Sequence, residues 1–373
     1  MTDPRLRKLA EILVHYCVKA QPGDRVGIMP RGSVAAALPL QAEVLREVLK
    51  AGASPHPYII PMAVDEFDYV FFSSASDAQL QRLDRIYEIV AGEFNCDITI
   101  LCETNTKRLS HVDPDRPAMT ARAHSGLLHQ FLSRAANGEL RWVISALPTS
   151  AYAQDAEMSL EEYTDFVFSS TYADTEDPIS RWEELGRKQK RLVEWFAGKK
   201  SVRVESKHVG LSFSIEGRTF VNCDGRVNMP DGEIFTGPVE KSVNGWLEST
   251  FPAIWNGVDV GKVTLRFEGG VVTHADAERN QAHLDKALAT DEGASRVGEF
   301  GIGTNRAIHA FTKNMLFDEK IGGTIHVAIG NAYPETGATN ESGIHWDLLC
   351  DMREGGQIIV DGQRIYDSGA FLV

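Results

Sequence analysis

The segment VGLSFSIE (residues 209–216) marks the point at which the pattern of the chain changes. Its apolar residues occupy every second position, with glycine or a polar residue between them, and Val263, Leu265 and Phe267 alternate in the same way. A period of two with one polar face is typical of half-buried, antiparallel strands. The sequence therefore predicts a C-terminal α+β domain that is rich in antiparallel strands.

Upstream of this segment, strand-like apolar runs alternate with helical ones. Strands are predicted over 25–29, 56–60, 97–101 and 141–145, and helices over 36–50, 76–91 and 119–136. Strands that are separated by helices need crossover connections, which favour a mostly parallel sheet with helices on its faces. The sequence thus predicts an α/β N-terminal domain over residues 1–197, followed by the second domain over 198–373.

The charge balance argues against nucleic acid as a partner. The 373 residues include 38 basic and 52 acidic side chains, which gives a net charge of −14. Surfaces that bind phosphate backbones are usually basic. The densest basic run, RKQKR (187–191), lies in a helical stretch, so we interpret it as a solvated face.

Cysteine usage and the N-terminus bear on where the protein resides. The five cysteines are scattered and form no CxxC pair, which suits a reducing compartment and buried thiols. No apolar region of a secretory signal follows Met1, and no apolar run approaches the length of a membrane span. The sequence predicts a cytoplasmic protein without a membrane partner.

The short motifs of nucleotide-binding proteins, zinc proteases of the HExxH type and serine hydrolases are absent. The sequence GIHWDLLC (343–350) instead places His345 and Asp347 two positions apart in a strand-like run. Residues two apart on a strand project from the same face. Imidazole and carboxylate together form half of a divalent metal site, but a buried histidine that is hydrogen-bonded to an aspartate explains the pair equally well.

Four further residues extend this candidate site. His326 lies within another apolar strand, GTIHVAIG (323–330), where it is either a ligand or a core histidine with satisfied hydrogen bonds. Glu233 and Glu299 are flanked by glycine and apolar residues rather than by other charges, and Glu319 stands in LFDEK (316–320). The ordinary interpretation of each glutamate is a surface carboxylate.

Four C-terminal stretches carry a resemblance to a known family: MPDGEIFTGPVEKSVNG (229–245), GEFGIGTN (298–305), LFDEKIGGTIHVAIGNAYPETG (316–337) and NESGIHWDLLCDM (340–352). In order and spacing they resemble the M29 metallo-aminopeptidases of the aminopeptidase T, aminopeptidase S and PepS type. The resemblance covers the whole chain. The segment between His326 and His345 is shorter than in those peptidases.

The resemblance implies a homodimer whose C-terminal domain is catalytic and whose substrate is a short peptide. It implies two divalent ions, with Glu299 bridging them, and zinc, cobalt, manganese and magnesium all suit such ligands. Tyr333 matches a tyrosine beside the metals. The implied metal ligands are Glu233, Glu299, Glu319, His326, His345 and Asp347.

A two-ion site of this kind activates water to attack the first carbonyl of a peptide. Tyr333 is then the candidate donor to the oxyanion, and Glu299 or Glu319 the candidate for carrying a proton to the leaving amine.

Two other functions are compatible with the same residues. His326, His345 and Asp347 also match a mononuclear Fe(II) site, as in ring-cleaving dioxygenases of the 2,5-dihydroxypyridine 5,6-dioxygenase type, whose scaffold resembles that of the M29 family. Such a site has no use for three additional glutamates. A metal-stabilised binding protein without catalysis is the other alternative.

Overall fold

A computed structural model describes residues 3–255 and 257–373. Its contacts divide the chain into two compact units. The first contains the residues up to Trp182 together with Gly225–Pro230, and the second contains Glu183–Asp224 and Asp231–Val373. The predicted domains, 1–197 and 198–373, stay a prediction, because a unit defined by contacts need not be a domain that folds separately.

The described residues form α-helices α1 (Pro4–Glu11), α2 (Val34–Lys50), α3 (Asp68–Ser74), α4 (Asp77–Leu80), α5 (Arg85–Glu93), α6 (Asp115–Ala136), α7 (Ser150–Asp155), α8 (Leu160–Ser170), α9 (Pro178–Phe196), α10 (Gln281–Leu288) and α11 (Met315–Asp318). A π-helical turn, Ile12–Cys17, continues α1, and 3₁₀ turns span Pro61–Ala63 and Pro334–Thr336. Among these residues, none of the helices has both the length and the hydropathy that a membrane span requires.

The strands are β1 (Arg25–Gly32), β2 (Ser54–Pro57), β3 (Cys96–Cys102), β4 (Arg141–Ala146), β5 (Ser201–Glu205), β6 (Val209–Ser214), β7 (Val221–Cys223), β8 (Asn228–Met229), β9 (Glu233–Thr236), β10 (Asn244–Glu248), β11 (Ile254–Trp255), β12 (Val258–Asp259), β13 (Val263–Glu268), β14 (Val271–Ala277), β15 (Val297–Gly303), β16 (Thr324–Gly330), β17 (His345–Asp351), β18 (Gln357–Val360), β19 (Gln363–Asp367) and β20 (Ala370–Phe371).

The first unit is built on a parallel sheet in the order β2-β1-β3-β4-β8. Every neighbouring pair in this sheet is parallel. Helices connect β1 to β2, β2 to β3 and β3 to β4, and α2 packs against both β1 and α1. The α/β prediction for the N-terminal part of the chain is therefore confirmed.

The helix predicted over 76–91 is instead two helices, α4 and α5. Asp84 causes the break, since its side chain accepts hydrogen bonds from the backbone N–H groups of Ile86 and Tyr87. An aspartate that satisfies the free N–H groups of a first turn starts a new helix. The apolar spacing of the sequence continued across this cap, so the prediction of one helix was wrong.

The second unit contains two larger antiparallel sheets. One has the order β14-β13-β10-β6-β5-β18-β19-β20, and the other has the order β17-β16-β15-β9-β7. Apolar residues of both sheets, together with Leu192 and Phe196 of α9, form one buried core. The prediction of an α+β region rich in antiparallel strands is confirmed, and the alternation in β6 and β13 is what supplies residues to this core.

The antiparallel five-stranded sheet, β17-β16-β15-β9-β7, turns one face to that core. A β-bulge between Val297 and Glu299 shifts the register of β15 against β16, so that Val297 and Phe300 both point into the core. Without the bulge, residues three apart would face opposite sides of the sheet. The core face of β15, β16 and β17 consists of Val297, Phe300, Ile302, Ile325, Val327, Ile329, Trp346, Leu348 and Cys350.

Helix α9 holds the start of β9 in place. The basic residues of RKQKR are exposed, as predicted, but Gln189 in their midst is only 1% exposed. Its Nε2 donates hydrogen bonds to the backbone carbonyls of Cys223 and Glu233. Gln189 therefore fixes the backbone at the position from which the Glu233 side chain projects.

Replacing Gln189 with leucine should lower the free energy of unfolding by about 2 kcal/mol, because two carbonyls lose their donor in a largely buried place. Denaturant unfolding of the metal-free protein measures the change. Lys190→Leu, at the exposed neighbouring position, should have little effect. Equal stability of the two variants would contradict an anchoring role for Gln189.

Candidate metal centre

The other face of the five-stranded sheet gathers most of the predicted ligands. Glu233 begins β9, Glu299 lies in β15, His326 lies in β16, and His345 and Asp347 lie in β17. These four strands are consecutive neighbours in the sheet. Because side chains alternate along a strand, the core residues and these polar residues occupy opposite faces. Five of the six residues that sequence suggested thus converge.

Gly301 creates the space for His326. The two residues are paired across β15 and β16. A Cβ atom at position 301 would lie 2.0 Å from Nε2 of His326, well inside any permitted contact. The absence of a side chain at this position therefore allows the imidazole to lie across the neighbouring strand.

Glu233, Glu299 and His326 form the first ligand group. Nε2 of His326 lies 3.1 Å from Oε1 of Glu299 and 3.2 Å from Oε2 of Glu233. All three side chains are buried. One ligand atom from each residue lies within 4.8 Å of the others, which is a spacing that a single cation could bridge.

Glu299, His345 and Asp347 form the second ligand group. Nε2 of His345 lies 3.4 Å from Oε2 of Glu299 and 3.6 Å from Oδ2 of Asp347. Nδ1 of His345 lies 2.9 Å from the carbonyl of Asn331. A proton on Nδ1 donated to that carbonyl leaves Nε2 free to bind a metal. Glu299 belongs to both groups, one oxygen facing each.

Glu319 lies at the edge of these two groups rather than within them. It follows α11, and its Oε2 accepts a hydrogen bond from Nζ of Lys320. Nζ of Lys320 also lies 3.2 Å from Oε1 of Glu233. Lys320 therefore lies between Glu319 and Glu233 of the first ligand group and contacts both carboxylates.

Without a bound ion, burial sets the carboxyl pKa values of the cluster. It raises the pKa of Glu233 and of Glu299, and it raises the pKa of Asp347 to about 6. Burial would also raise the pKa of Glu319, but Lys320, together with His326 and His345, outweighs burial and lowers that pKa. These carboxylates are short of compensating positive charge.

The pKa values of the two imidazoles are also raised, although burial alone would lower them. Burial would lower the pKa of His326, but its hydrogen bond with Glu299 and the charge of Glu233 raise that pKa to about 10. The pKa of His345 is likewise raised, because Asp347 and Glu299 outweigh burial. Metal ligands must be deprotonated, so binding of a cation would release protons from this cluster.

The donor set fits a divalent cation. Oε2 of Glu233 and Oδ1 of Asp347 are buried, and neither accepts a hydrogen bond within the described part of the chain. Buried polar atoms are normally satisfied, and a buried carboxylate oxygen that accepts no hydrogen bond is costly, although both carboxylates lie within ion-pair distance of a histidine. Imidazole nitrogen and carboxylate oxygen are the ligands that zinc and related first-row ions accept.

Tyr333 lies beside the second group. Its ring is 5.1 Å from that of His345 and 5.2 Å from that of Phe235, measured between centroids. Its side chain is 39% exposed, and that of His345 is 26% exposed. Burial together with the neighbouring carboxylates raises the pKa of the phenol, so it remains a hydrogen-bond donor at neutral pH.

Sequence reasoning missed three residues of this cluster. Lys320 and Asp231 are both buried, and Cys223 and Asp231 form a further group of possible ligand atoms with Glu233. Burial raises the pKa of Asp231 to about 8. The Pro-Asp-Gly turn that introduces Glu233 signalled Asp231, whereas Asp-Glu-Lys at 318–320 has the composition of an exposed turn.

The chain is similar to known proteins along nearly its whole length. The family described as "Thermophilic metalloprotease (M29)" matches residues 2–371. Aminopeptidase 2 of Geobacillus stearothermophilus is 27% identical, over 98% of this chain and 97% of its own length. Aminopeptidase T of Thermus aquaticus is also 27% identical, over 78% of this chain and 80% of its own.

The fold is shared with a solved structure. Wild-type AmpT from Thermus thermophilus superposes with a TM-score of 0.86, over 99% of each chain. The two sequences are 22% identical in that superposition. Both the parallel sheet and the antiparallel region therefore belong to a known architecture.

Gly301→Ala should displace His326, because the added methyl group would collide with its imidazole. We expect affinity for a divalent ion to fall by about 10-fold or more, the loss typical of a disturbed ligand position. Calorimetric titration of the metal-free protein measures it. Gly126→Ala, in α6 where an added Cβ meets nothing within 4 Å, is the control. Unchanged affinity of the Gly301→Ala protein would exclude His326 as a ligand.

Proposed function

The chain belongs to the M29 family of metalloproteases, and from this premise we propose that it is an aminopeptidase that releases N-terminal amino acids from short peptides. The observation that carries the proposal is the pair of ligand groups that share Glu299 on one face of a sheet. Relatives that align along nearly the whole chain are named aminopeptidases, which supports the same activity.

The proposed cofactor is a pair of divalent ions. Glu233, Glu299 and His326 would hold one ion, with Glu319 adjoining them, and Glu299, His345 and Asp347 would hold the other. The bridging role of Glu299 is supported by its two oxygens, each of which faces a different histidine. Zinc, cobalt, manganese and magnesium are all candidates. Bound ions of this kind supply a Lewis acid that activates water near neutral pH and polarises a carbonyl.

The residues of the chain have separate tasks in this reaction. The carboxylates and histidines of the cluster would hold the two ions, and the free amino group at the N-terminus of a peptide would bind to one of them. His345 and Tyr333 are partly exposed, so we place the entry of the peptide on their side. Glu299 or Glu319 would carry the proton from the attacking water to the leaving amine.

Tyr333 is the proposed oxyanion donor. Its phenol keeps its proton at neutral pH, and its ring lies against His345. A hydrogen bond that forms only when charge develops on the carbonyl oxygen lowers the barrier without tightening substrate binding. The edge-to-face contact with His345 holds the tyrosine ring beside the second ligand group.

The dioxygenase alternative receives less support. His326, His345 and Asp347 could hold one ferrous ion, but Glu233 and Glu299 lie within ion-pair distance of His326 and would have no task at such a site. A metal-stabilised binding protein would not need Tyr333 beside the cluster. Both alternatives predict that peptides are not hydrolysed.

We also propose that the protein acts in the cytoplasm and as a homodimer. All five cysteines are free thiols, which suits a reducing compartment. The dimer rests on the family resemblance of the sequence. Sedimentation at micromolar concentration distinguishes a dimer from a monomer.

The proposed activity requires a free amino terminus. Purified protein with added zinc or cobalt should release the first amino acid of short unblocked peptides, and a chelator should abolish the release. N-acetylation should stop cleavage because an acetylated nitrogen has no free lone pair to offer to a metal ion. Equal cleavage of blocked and unblocked peptides would contradict an aminopeptidase, and oxygen consumption with iron and a hydroxypyridine would favour the dioxygenase.

Tyr333→Phe should lower kcat by roughly 10²–10³-fold, the usual penalty for losing one oxyanion donor. KM and metal content should change little, since the phenol acts on the transition state. Steady-state kinetics with a dipeptide, together with elemental analysis, provide the test. Phe235→Leu is a suitable control, because Phe235 contacts the same ring without offering a proton. A Tyr333→Phe enzyme that keeps more than about a third of normal kcat would assign Tyr333 a packing role.

A further inference from the structure

Lys320 places a positive charge inside the cluster. Its side chain is only 1% exposed, and its Nζ contacts the carboxylates of Glu233 and Glu319. Lysine is almost never fully buried without such partners, because an unpaired ammonium group is costly to remove from water. The two partners are residues that the proposed function assigns to a metal ion.

The two ligand groups differ in their relation to this ammonium group. Lys320 pairs with Glu233, which belongs to the first group. In the ion pairs of the described chain, Glu299 and Asp347 pair with histidines and not with Lys320, and His345 is one of those histidines. A cation at the first group would compete for Glu233 and would lie close to a fixed like charge, which repels it.

The two ligand groups also differ in their exposure to solvent. Glu233 and His326 are buried, whereas His345 of the second group is partly exposed. An ion arriving from solvent therefore meets the second group first. It finds carboxylates there that no lysine of the described chain neutralises.

We propose that Lys320 makes the two ion sites unequal, so that one ion binds tightly at Glu299, His345 and Asp347 and the second binds weakly at Glu233, Glu299 and His326. The second ion has to displace the ammonium group from Glu233 as it binds. This inference rests on the proposed function, since it assumes that the cluster holds divalent ions. It makes occupancy of the second position, and with it activity, responsive to metal concentration.

The test is a calorimetric titration of the full-length, metal-free protein with Mn²⁺ and, separately, with Co²⁺. The natural protein should show two binding phases, and the second should be weaker than the first by about 100-fold or more. The charge of Lys320 repels the second ion, and a repulsion of about 2.7 kcal/mol is enough to produce this ratio of affinities. Two ions of equal affinity in the natural protein would overturn the inference, whatever any variant does.

Lys320→Met keeps an unbranched side chain, one atom shorter than lysine, and removes its charge. It should tighten the second phase by about 10-fold or more, while the first phase changes by less than about threefold. Thermal unfolding gives an independent readout: the variant should be less stable than the natural protein without metal and should regain stability as the second ion binds. Lys286→Met, on the exposed side of α10, is the matched control and should bind as the natural protein does.

The possible failures are distinguishable. A Lys320→Met protein that binds its second ion no more tightly than the natural protein overturns the inference alone. Should that variant fail to fold, the natural protein still provides a test, since two ions of equal affinity there would overturn the inference. Binding of two unequal ions without hydrolysis of any peptide supports the inference and overturns the aminopeptidase proposal. Absence of any ion binding overturns both.

Discussion

Carboxylates that lie together out of water must be compensated by positive charge, and this requirement governs the second unit of the protein. Glu233, Glu299 and Asp347 lie on neighbouring strands, where burial, and to a smaller extent a nearby carboxylate, raises the pKa of each. Two imidazoles and one lysine are the cations that the described chain itself supplies. A rigid sheet holds the charges in place although they repel one another, and this stored repulsion is what gives such a cluster affinity for a divalent ion.

The sheet can hold the cluster because its two faces have different tasks. One face is anchored in a large apolar core that it shares with the eight-stranded sheet, while the other carries the polar side chains. Strand alternation alone would achieve this in β16 and β17. In β15 the bulge is needed as well, and Gly301 must leave room for His326. Packing, register and a missing side chain together determine where Glu299 and His326 meet.

The sequence was most informative where the determinants were local. The shared face of His345 and Asp347, and the apolar face of β16, followed from a period of two, and both sheet types followed from the spacing of apolar residues. What remained hidden depended on contacts between distant segments. Nothing near Lys320 in the sequence indicates that it reaches Glu233, and the exposed charges around Gln189 concealed its inward direction. The roles of the six candidate ligands and of Tyr333 remain predictions, since arrangement alone does not establish what they bind.

The bulge in β15 limits how this site could be transferred to another protein. The number of residues in the strand matters as much as their identity. The extra residue at the bulge lets Val297 and Phe300 share one face while Glu299 occupies the other. A graft that copied the ligands onto a regular strand would send either Val297 or Phe300 to the polar side.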